Sequence, residues 1–185
     1  MPPRVVARPK VPQAPAGGMV GYVFDTTRET RMPKRRDLIT MTDEEMWAFM
    51  ETQKSVQVAT INRDGSPHLT TLWFAIIDGK IVLETFTKSQ KVVNLKRDPR
   101  IAILFEDGDA YEKLRGVSIN TTAELISDVD QVHALHMAVI RRNTPELPED
   151  VLDKASAAMA PKKTAILVKP EKVMSWDHGK LGGVY

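Results

Sequence analysis

A chain of 185 residues, 42% hydrophobic and 27% charged, has the length and composition of one globular domain with a terminal extension. Its net charge of +2 gives no whole-molecule attraction to nucleic acid or to a membrane surface. The absence of cysteine excludes disulfides, thiolate metal sites and cysteine nucleophiles.

No apolar run approaches the roughly 20 residues of a membrane-spanning helix. Prolines interrupt the first 18 residues, so no signal-peptide core forms there, and the cytoplasm is the expected location. Residues 1–37 read as a Pro-rich, basic extension, and 38–185 as the domain proper. Pro2, Pro3, Pro9, Pro12, Pro15 and the Gly17-Gly18 pair oppose regular structure, while Arg28, Arg31, Lys34, Arg35 and Arg36 carry the charge. The Tyr22-Val23-Phe24 cluster favours docking over a fully free tail, and a wrap around a partner subunit fits as well. Nucleic-acid binding by the arm is disfavoured, because its most basic stretch, RETRMPKRR, has no interleaved aromatics.

The domain opens on a helix. Thr42 is a good N-cap, Glu45 completes a capping box, and Met46, Trp47, Phe49 and Met50 form an apolar face. The pattern then changes to period two: SVQVATI (55–61), a turn at NRDG, PHLTTLWFAII (67–77), a tight DG turn, and KIVLETF (80–86) predict a three-strand antiparallel meander. SQKVVNLKRD predicts a helix with Val92, Val93 and Leu95 turned inward, ended by Asp98-Pro99. RIAILFED (100–107) and RGVSINTTAELI (115–126) predict strands four and five. Asp128 opens a helix over DVDQVHALHMAVIRR, DVLDKASAAMA predicts another, and KTAILVKPEKVMSW (163–176) predicts the closing strand. Six antiparallel strands interrupted by helices suit a small α+β barrel, which also removes exposed strand edges.

The chemistry concentrates where the third strand meets its helix. Phosphate is held by backbone N–H groups at a helix N-terminus, by hydroxyls and by a lysine or arginine. Residues 85–91 offer all three: Thr85 and Thr87 on one strand face, Ser89 where the helix begins, and Lys91 in the first turn. A lysine there opposes the helix dipole, and a bound anion removes the conflict. The plain alternative is a strand end and cap with solvated lysines.

Gly65, Pro67, Gly79, Thr85, Ser89, Lys91, Asp98, Pro99 and Arg100, in this order and spacing, resemble the flavin-binding half of the pyridoxamine 5'-phosphate oxidase-like superfamily. The resemblance covers about residues 55–126 and extends plausibly to the closing strand. It implies a six-stranded antiparallel split β-barrel with peripheral helices, and a homodimer with the cofactor in a groove between subunits. FMN oxidases of that family usually carry arginine at the positions of Thr70 and Gln90, so two cationic phosphate contacts are absent here. LWFAIIDGK (72–80), KVVNLKRDPR (91–100) and the SWDHGKLGGVY tail are instead similar to the actinobacterial branch that uses the deazaflavin coenzyme F-420. Carried over by position, this resemblance implies phosphate contacts from Thr85, Thr87, Ser89 and Lys91, with Asn94 in support. It implies a ring wall of Thr70, Thr71, Leu72, Trp73 and Phe74. Lys88 and Lys96 either meet the polyglutamate tail of F-420 or are solvated helix charges.

The implied activity is an oxidoreductase passing hydride from reduced F-420 to a conjugated or electron-poor organic molecule. Two alternatives stand: an FMN-binding oxidase or reductase of the same fold, and a non-catalytic F-420- or tetrapyrrole-binding protein. The cofactor carries the hard chemistry, so no catalytic triad is expected, and no Gly-x-Ser-x-Gly sequence occurs. His178, in the Gly-flanked tail, is a candidate proton donor or a surface loop histidine. His133 and His136 share a helix face, but no third ligand is evident, and no metal site is expected. His68 is expected near the groove mouth. Trp73 and Phe74 must face opposite sides of their strand, one toward the core and the other toward cofactor or dimer interface. Trp176 is expected to serve barrel packing or the same groove.

Overall fold

The structure, a computed structural model, describes residues 34–182. Residues 1–33 of the expected extension, including the Tyr22–Phe24 cluster, lie outside the described residues, as do 183–185 of the tail. A short helix, α1 (Arg35–Ile39), begins before the boundary expected at residue 37. Helix α2 (Asp43–Thr52) carries the anticipated capping box: the Glu45 N–H donates to Thr42 Oγ1 at 3.2 Å, and the Glu45 carboxylate accepts from the Thr42 N–H at 2.7 Å. Its Met46, Phe49 and Met50 are buried.

Each expected strand run is present, but the six runs resolve into eight strands, which corrects the count. They are β1 (Val56–Ile61), β2 (Pro67–Leu72), β3 (Phe74–Ile77), β4 (Lys80–Phe86), β5 (Arg100–Asp107), β6 (Arg115–Ile126), β7 (Lys163–Val168) and β8 (Lys172–Asp177). The run 67–77 breaks at Trp73. The closing run breaks at 169–171, where Pro170 offers no N–H to the ladder. There the pairs Ala123↔Val168 and Asn120↔Lys172 leave residues 121–122 facing 169–171, so the closing run bulges by one residue.

All pairings are antiparallel, in the order β2-β1-β5-β6-β7-β4-β3, with β8 added on β6. The two ends of this path, β2 and β3, are joined through Trp73 alone, so the sheet has to curl back on itself. Strand β6 serves both halves: residues 115–120 pair with β8 and 123–126 with β7. Val56 and Val58 of β1 point into the curl by period two and meet Phe74, Ile103, Val117 and Ile166 in the main core. The rings of Phe74 and Phe105 meet edge to face at 4.9 Å.

Helix α3 (Gln90–Arg97) ends at Asp98, as the Asp98-Pro99 pair requires. It buries Val92 and Leu95, while Val93 is 52% exposed, against the expectation that all three turn inward. Residues i and i+3 share a helix face and i+1 leaves it. Helix α4 (Val129–Asn143), capped by Asp128, lies on the outer face of β3–β4–β7 and packs Val139 against Ala75 and Val82. Its last turn holds the bend at Trp73. Arg142 stands 4.0 Å over the Phe74 ring and donates to the Glu51 and Gln53 carbonyls, and the Asn143 amide donates to the Phe74 carbonyl at 3.4 Å. Helix α5 (Glu149–Met159) packs on α4.

Candidate functional site

The bend at Trp73 creates the site. Strand β3 pairs with β4 in the register Phe74↔Leu83 to Ile77↔Lys80. Continued by two and four residues, that register would set Leu72 opposite Thr85 and Thr70 opposite Thr87. Strand β2 instead turns away to pair with β1, Thr70 meeting Val58. The sheet therefore splits between Thr70–Leu72 on one side and Thr85–Thr87 on the other. The two sets of residues singled out in the sequence, the ring wall and the phosphate corner, flank this one split.

On the corner side, Thr85 is buried on β4. Beyond Phe86 the chain turns, with the Thr87 N–H on the Lys162 carbonyl at 3.0 Å and the Ser89 N–H on the Phe86 carbonyl at 2.9 Å. Ser89 is the N-cap of α3, and its carbonyl accepts from Val92 and Val93, but its side chain makes no capping bond. The backbone N–H groups of Gln90 and Lys91 have no acceptor among the described residues. Two donors thus stand at the helix N-terminus beside a hydroxyl that accepts from Thr85 Oγ1 at 3.3 Å and makes no bond to its own helix.

Lys91 is 9% exposed, and its Nζ donates to Thr85 Oγ1 at 3.3 Å. No carboxylate of the described residues lies within ion-pair distance of it. Burial pulls its pKa below the ordinary 10.5, and the nearby Glu84 charge opposes that only in part. Glu84 is instead tied to Lys163 of β7 at 2.6 Å, with both side chains nearly buried. A buried ammonium with one neutral partner is poorly compensated for its lost hydration.

Asn94 has a different part. Its amide donates to Thr60 Oγ1 at 3.1 Å and Asn62 Oδ1 at 3.0 Å, and its carbonyl oxygen accepts from Gln90 at 2.9 Å. Both amide protons are committed, so Asn94 anchors α3 to β1 and supports the corner from behind. Lys88 and Lys96 are exposed.

On the wall side, Thr71 and Trp73 are exposed, and Leu72 packs partly against the core. Phe74 is fully buried, so the aromatic pair faces opposite ways, and the Phe74 side chain belongs to the core while Trp73, 43% exposed, faces out. Thr70 Oγ1 is buried without a hydrogen-bond partner among the described residues, which leaves one polar atom beside the split to be satisfied.

The remaining candidates lie elsewhere. His178 starts a 3-10 turn at His178–Leu181, its Nδ1 3.0 Å from the Tyr111 carbonyl and its ring edge-to-face with Tyr111 at 4.5 Å. That is the Asp107↔Arg115 end of the β5–β6 pair, whereas α3 feeds the Arg100↔Thr122 end. The fold does not bring His178 to the corner of its own chain. His133 pairs with Asp153 at 3.1 Å, and buried His136 has Nδ1 on Ser156 Oγ at 3.0 Å. The two histidines have separate partners, and no cluster of three or more metal-ligating side chains occurs among the described residues. His68, partly buried on β2, pairs across to Thr60. The Trp176 ring covers Gly116. Sequence reasoning missed Glu84, Lys163 and Thr164, because only the β4–β7 pairing brings the last strand to the corner.

No helix of the described residues is long and apolar enough to cross a membrane. The family model for pyridoxamine 5'-phosphate oxidase matches residues 42–177. A conserved hypothetical protein from Mycobacterium tuberculosis is 40% identical, with TM-score 0.76, over 83% of this chain and 95% of that one. An F420 reductase is 23% identical, with TM-score 0.57, over 71% of this chain and 98% of that one. The heme storage protein HutZ from Vibrio cholerae is 15% identical, with TM-score 0.55, over 71% and 92%. The comparison with curated proteins gives no match. The last two likenesses speak to fold, whereas the family model and the 40% identical relative reach further: this chain belongs to the pyridoxamine 5'-phosphate oxidase-like superfamily of split β-barrels.

Proposed function

We propose that this protein is an oxidoreductase that holds coenzyme F-420 in the split, with the phosphate on Thr87, Ser89, Lys91 and the free N–H groups of Gln90 and Lys91. The observation that carries this reading is the buried Lys91 ammonium, which has a single hydroxyl for company. Thr70 Oγ1 and the exposed backbone side of 70–73 supply the wall for the ring system, and the Asn143 and Arg142 contacts hold that wall in place. Thr70 and Gln90 are neutral where FMN oxidases of the family usually carry arginine, and Gln90 is engaged with Asn94, which favours the deazaflavin over FMN. Bound in its reduced form, F-420 supplies a hydride for a conjugated or electron-poor acceptor. The chain's own contribution would be to fix the phosphate at the corner and to hold the ring system against residues 70–73.

The fold also suits a homodimer. Leu69 is 67% exposed and Trp73 43%, and a cavity of about 430 Å³ opens over β1, β5 and β6 between Ala59, Ala102 and Asn120. A second copy over this face would close the split into a groove.

Fluorescence titration with F-420 and with FMN, for wild type and Lys91→Ala, tests the reading. Micromolar or tighter F-420 binding, weaker FMN binding and at least a roughly thirtyfold loss in Lys91→Ala are expected, the size set by removing a charged contact. Tighter FMN binding would move the protein to the flavin alternative. F-420 binding without oxidation of the reduced form by any of a panel of enones would leave a carrier in place of an enzyme.

A further inference from the structure

One half-buried hydroxyl of the corner, that of Thr87, is oriented from a distant strand. We propose that Thr164 of β7 is a positioning residue: its hydroxyl donates to Thr87 Oγ1 and so turns the Thr87 proton toward the ligand. The inference rests on the corner being a phosphate site and adds the residue that sets its polarity.

Thr164 has no exposed surface, and its Oγ1 lies 3.0 Å from Thr87 Oγ1. No other acceptor for that proton is found among the described residues. A buried O–H without an acceptor loses its hydration and gains nothing, so the Thr164 proton goes to Thr87. Thr87 is only half-buried. Having accepted one bond, its oxygen keeps a single proton of its own, and that proton has to point away from Thr164, toward the split. Without Thr164 the Thr87 hydroxyl could rotate to present lone pairs, which repel an anion.

The same bookkeeping applies on the other arm. Lys91 can only donate, so Thr85 Oγ1 accepts from it at 3.3 Å. Thr85 is buried, and its one proton goes to Ser89 Oγ at 3.3 Å. Ser89 makes no bond to its helix, so its proton is also left for the split. Two chains of hydroxyls, Thr164 to Thr87 and Lys91 to Thr85 to Ser89, therefore both end in an outward donor. Phosphate oxygens only accept, and charge-assisted bonds of this kind are the stronger sort. The strand pairing Thr85↔Thr164 and the Thr87 N–H on the Lys162 carbonyl at 3.0 Å hold the Thr87 backbone, so the side chain cannot drift from its partner.

The test uses the full chain with F-420 and with the phosphate-free deazaflavin carrying the same ribityl group, by fluorescence titration. Thr164→Val keeps the shape and removes the donor. It should weaken F-420 by about tenfold, the scale of one hydrogen bond to a charged group. Binding of the phosphate-free form should stay within about twofold, because that ligand makes no charged bond at the corner. Thr164→Ser, which restores the donor, should bind F-420 like wild type. In a Thr87→Ala background, Thr164→Val should have no further effect on F-420. Should Thr164→Val lose its native melting transition, Thr164→Cys, a near-isostere with a weak donor, takes its place. Wild-type affinity for F-420 in the variant would overturn the inference and leave the phosphate site standing. Equal losses for both ligands would mean general loosening and would also overturn it. A wild type that binds F-420 no tighter than the phosphate-free form would remove the phosphate site itself.

Discussion

Lys91 makes the corner sensitive to pH in a direction that can be worked out. Its pKa in the folded protein lies below 10.5, because burial disfavours the charge. Between the folded and unfolded values the unfolded chain binds more protons, so the stability of the ligand-free protein rises with pH in that window. Phosphate binding has the opposite sense, since it needs the ammonium. F-420 affinity is therefore expected to fall as pH rises toward the lowered Lys91 value, while the melting temperature of the ligand-free protein does not fall with it. Titrations and melts across the alkaline range check both trends, and an affinity that holds level there would mean Lys91 does not meet the phosphate. At this scale the spacing Thr85, Thr87, Ser89, Lys91 was legible because a strand and a helix each have a fixed period. The committed amide of Asn94 and the uncapped hydroxyl of Ser89 were not, since both depend on which neighbour the fold supplies.

Two contacts between strands, one at the corner and one away from it, test how the elements are held. The Glu84–Lys163 pair joins β4 to β7 behind Thr85, with side chains 14% and 11% exposed. Lys163→Met leaves a nearly buried carboxylate unpaired and is expected to cost about 3–5 kcal/mol, most of it recovered in Glu84→Gln/Lys163→Met. Urea unfolding of the single and double variants measures this; a single variant as stable as wild type would show that the pair is hydrated. On the β6–β8 half of the sheet, a Cβ at Gly116 would sit 2.1 Å from the Trp176 ring. Gly116→Ala should displace the indole, lowering the melting temperature and shifting the tryptophan emission to the red, whereas unchanged emission would mean the strand yields instead. The N-cap of α2 and the end of α3 were readable from Thr42-x-x-Glu45 and Asp98-Pro99, because capping is local chemistry. The break at Trp73 was not, because LWFAII reads as one uninterrupted strand. It is set by Asn143 and Arg142, about 70 residues later, gripping Phe74.

The described residues form a curled sheet with a packed apolar interior, and the proposed ligand lies outside it, at the split. That placement explains why apolar side chains such as Leu69, Trp73 and Val93 stand exposed around the proposed groove. The barrel was legible because β1, β2 and β5 keep their alternation, while β4 and β7 carry the continuous apolar runs of strands buried on both faces. The count of strands was not: the bend at Trp73 changes pairing without changing hydropathy, and the polar Lys169-Pro170-Glu171 break does not by itself show that the chain moves from one half of β6 to the other. The partner in the proposed dimer was legible only by resemblance. The central claim is that the Thr87–Lys91 corner takes the phosphate of F-420, and a crystal structure of the complex tests it most directly. The account predicts the phosphate within hydrogen-bond distance of Thr87 Oγ1, Ser89 Oγ and Lys91 Nζ, the ring against residues 70–73, and a second copy closing the groove. A phosphate held anywhere else on the chain, with Lys91 still paired only to Thr85, would contradict it.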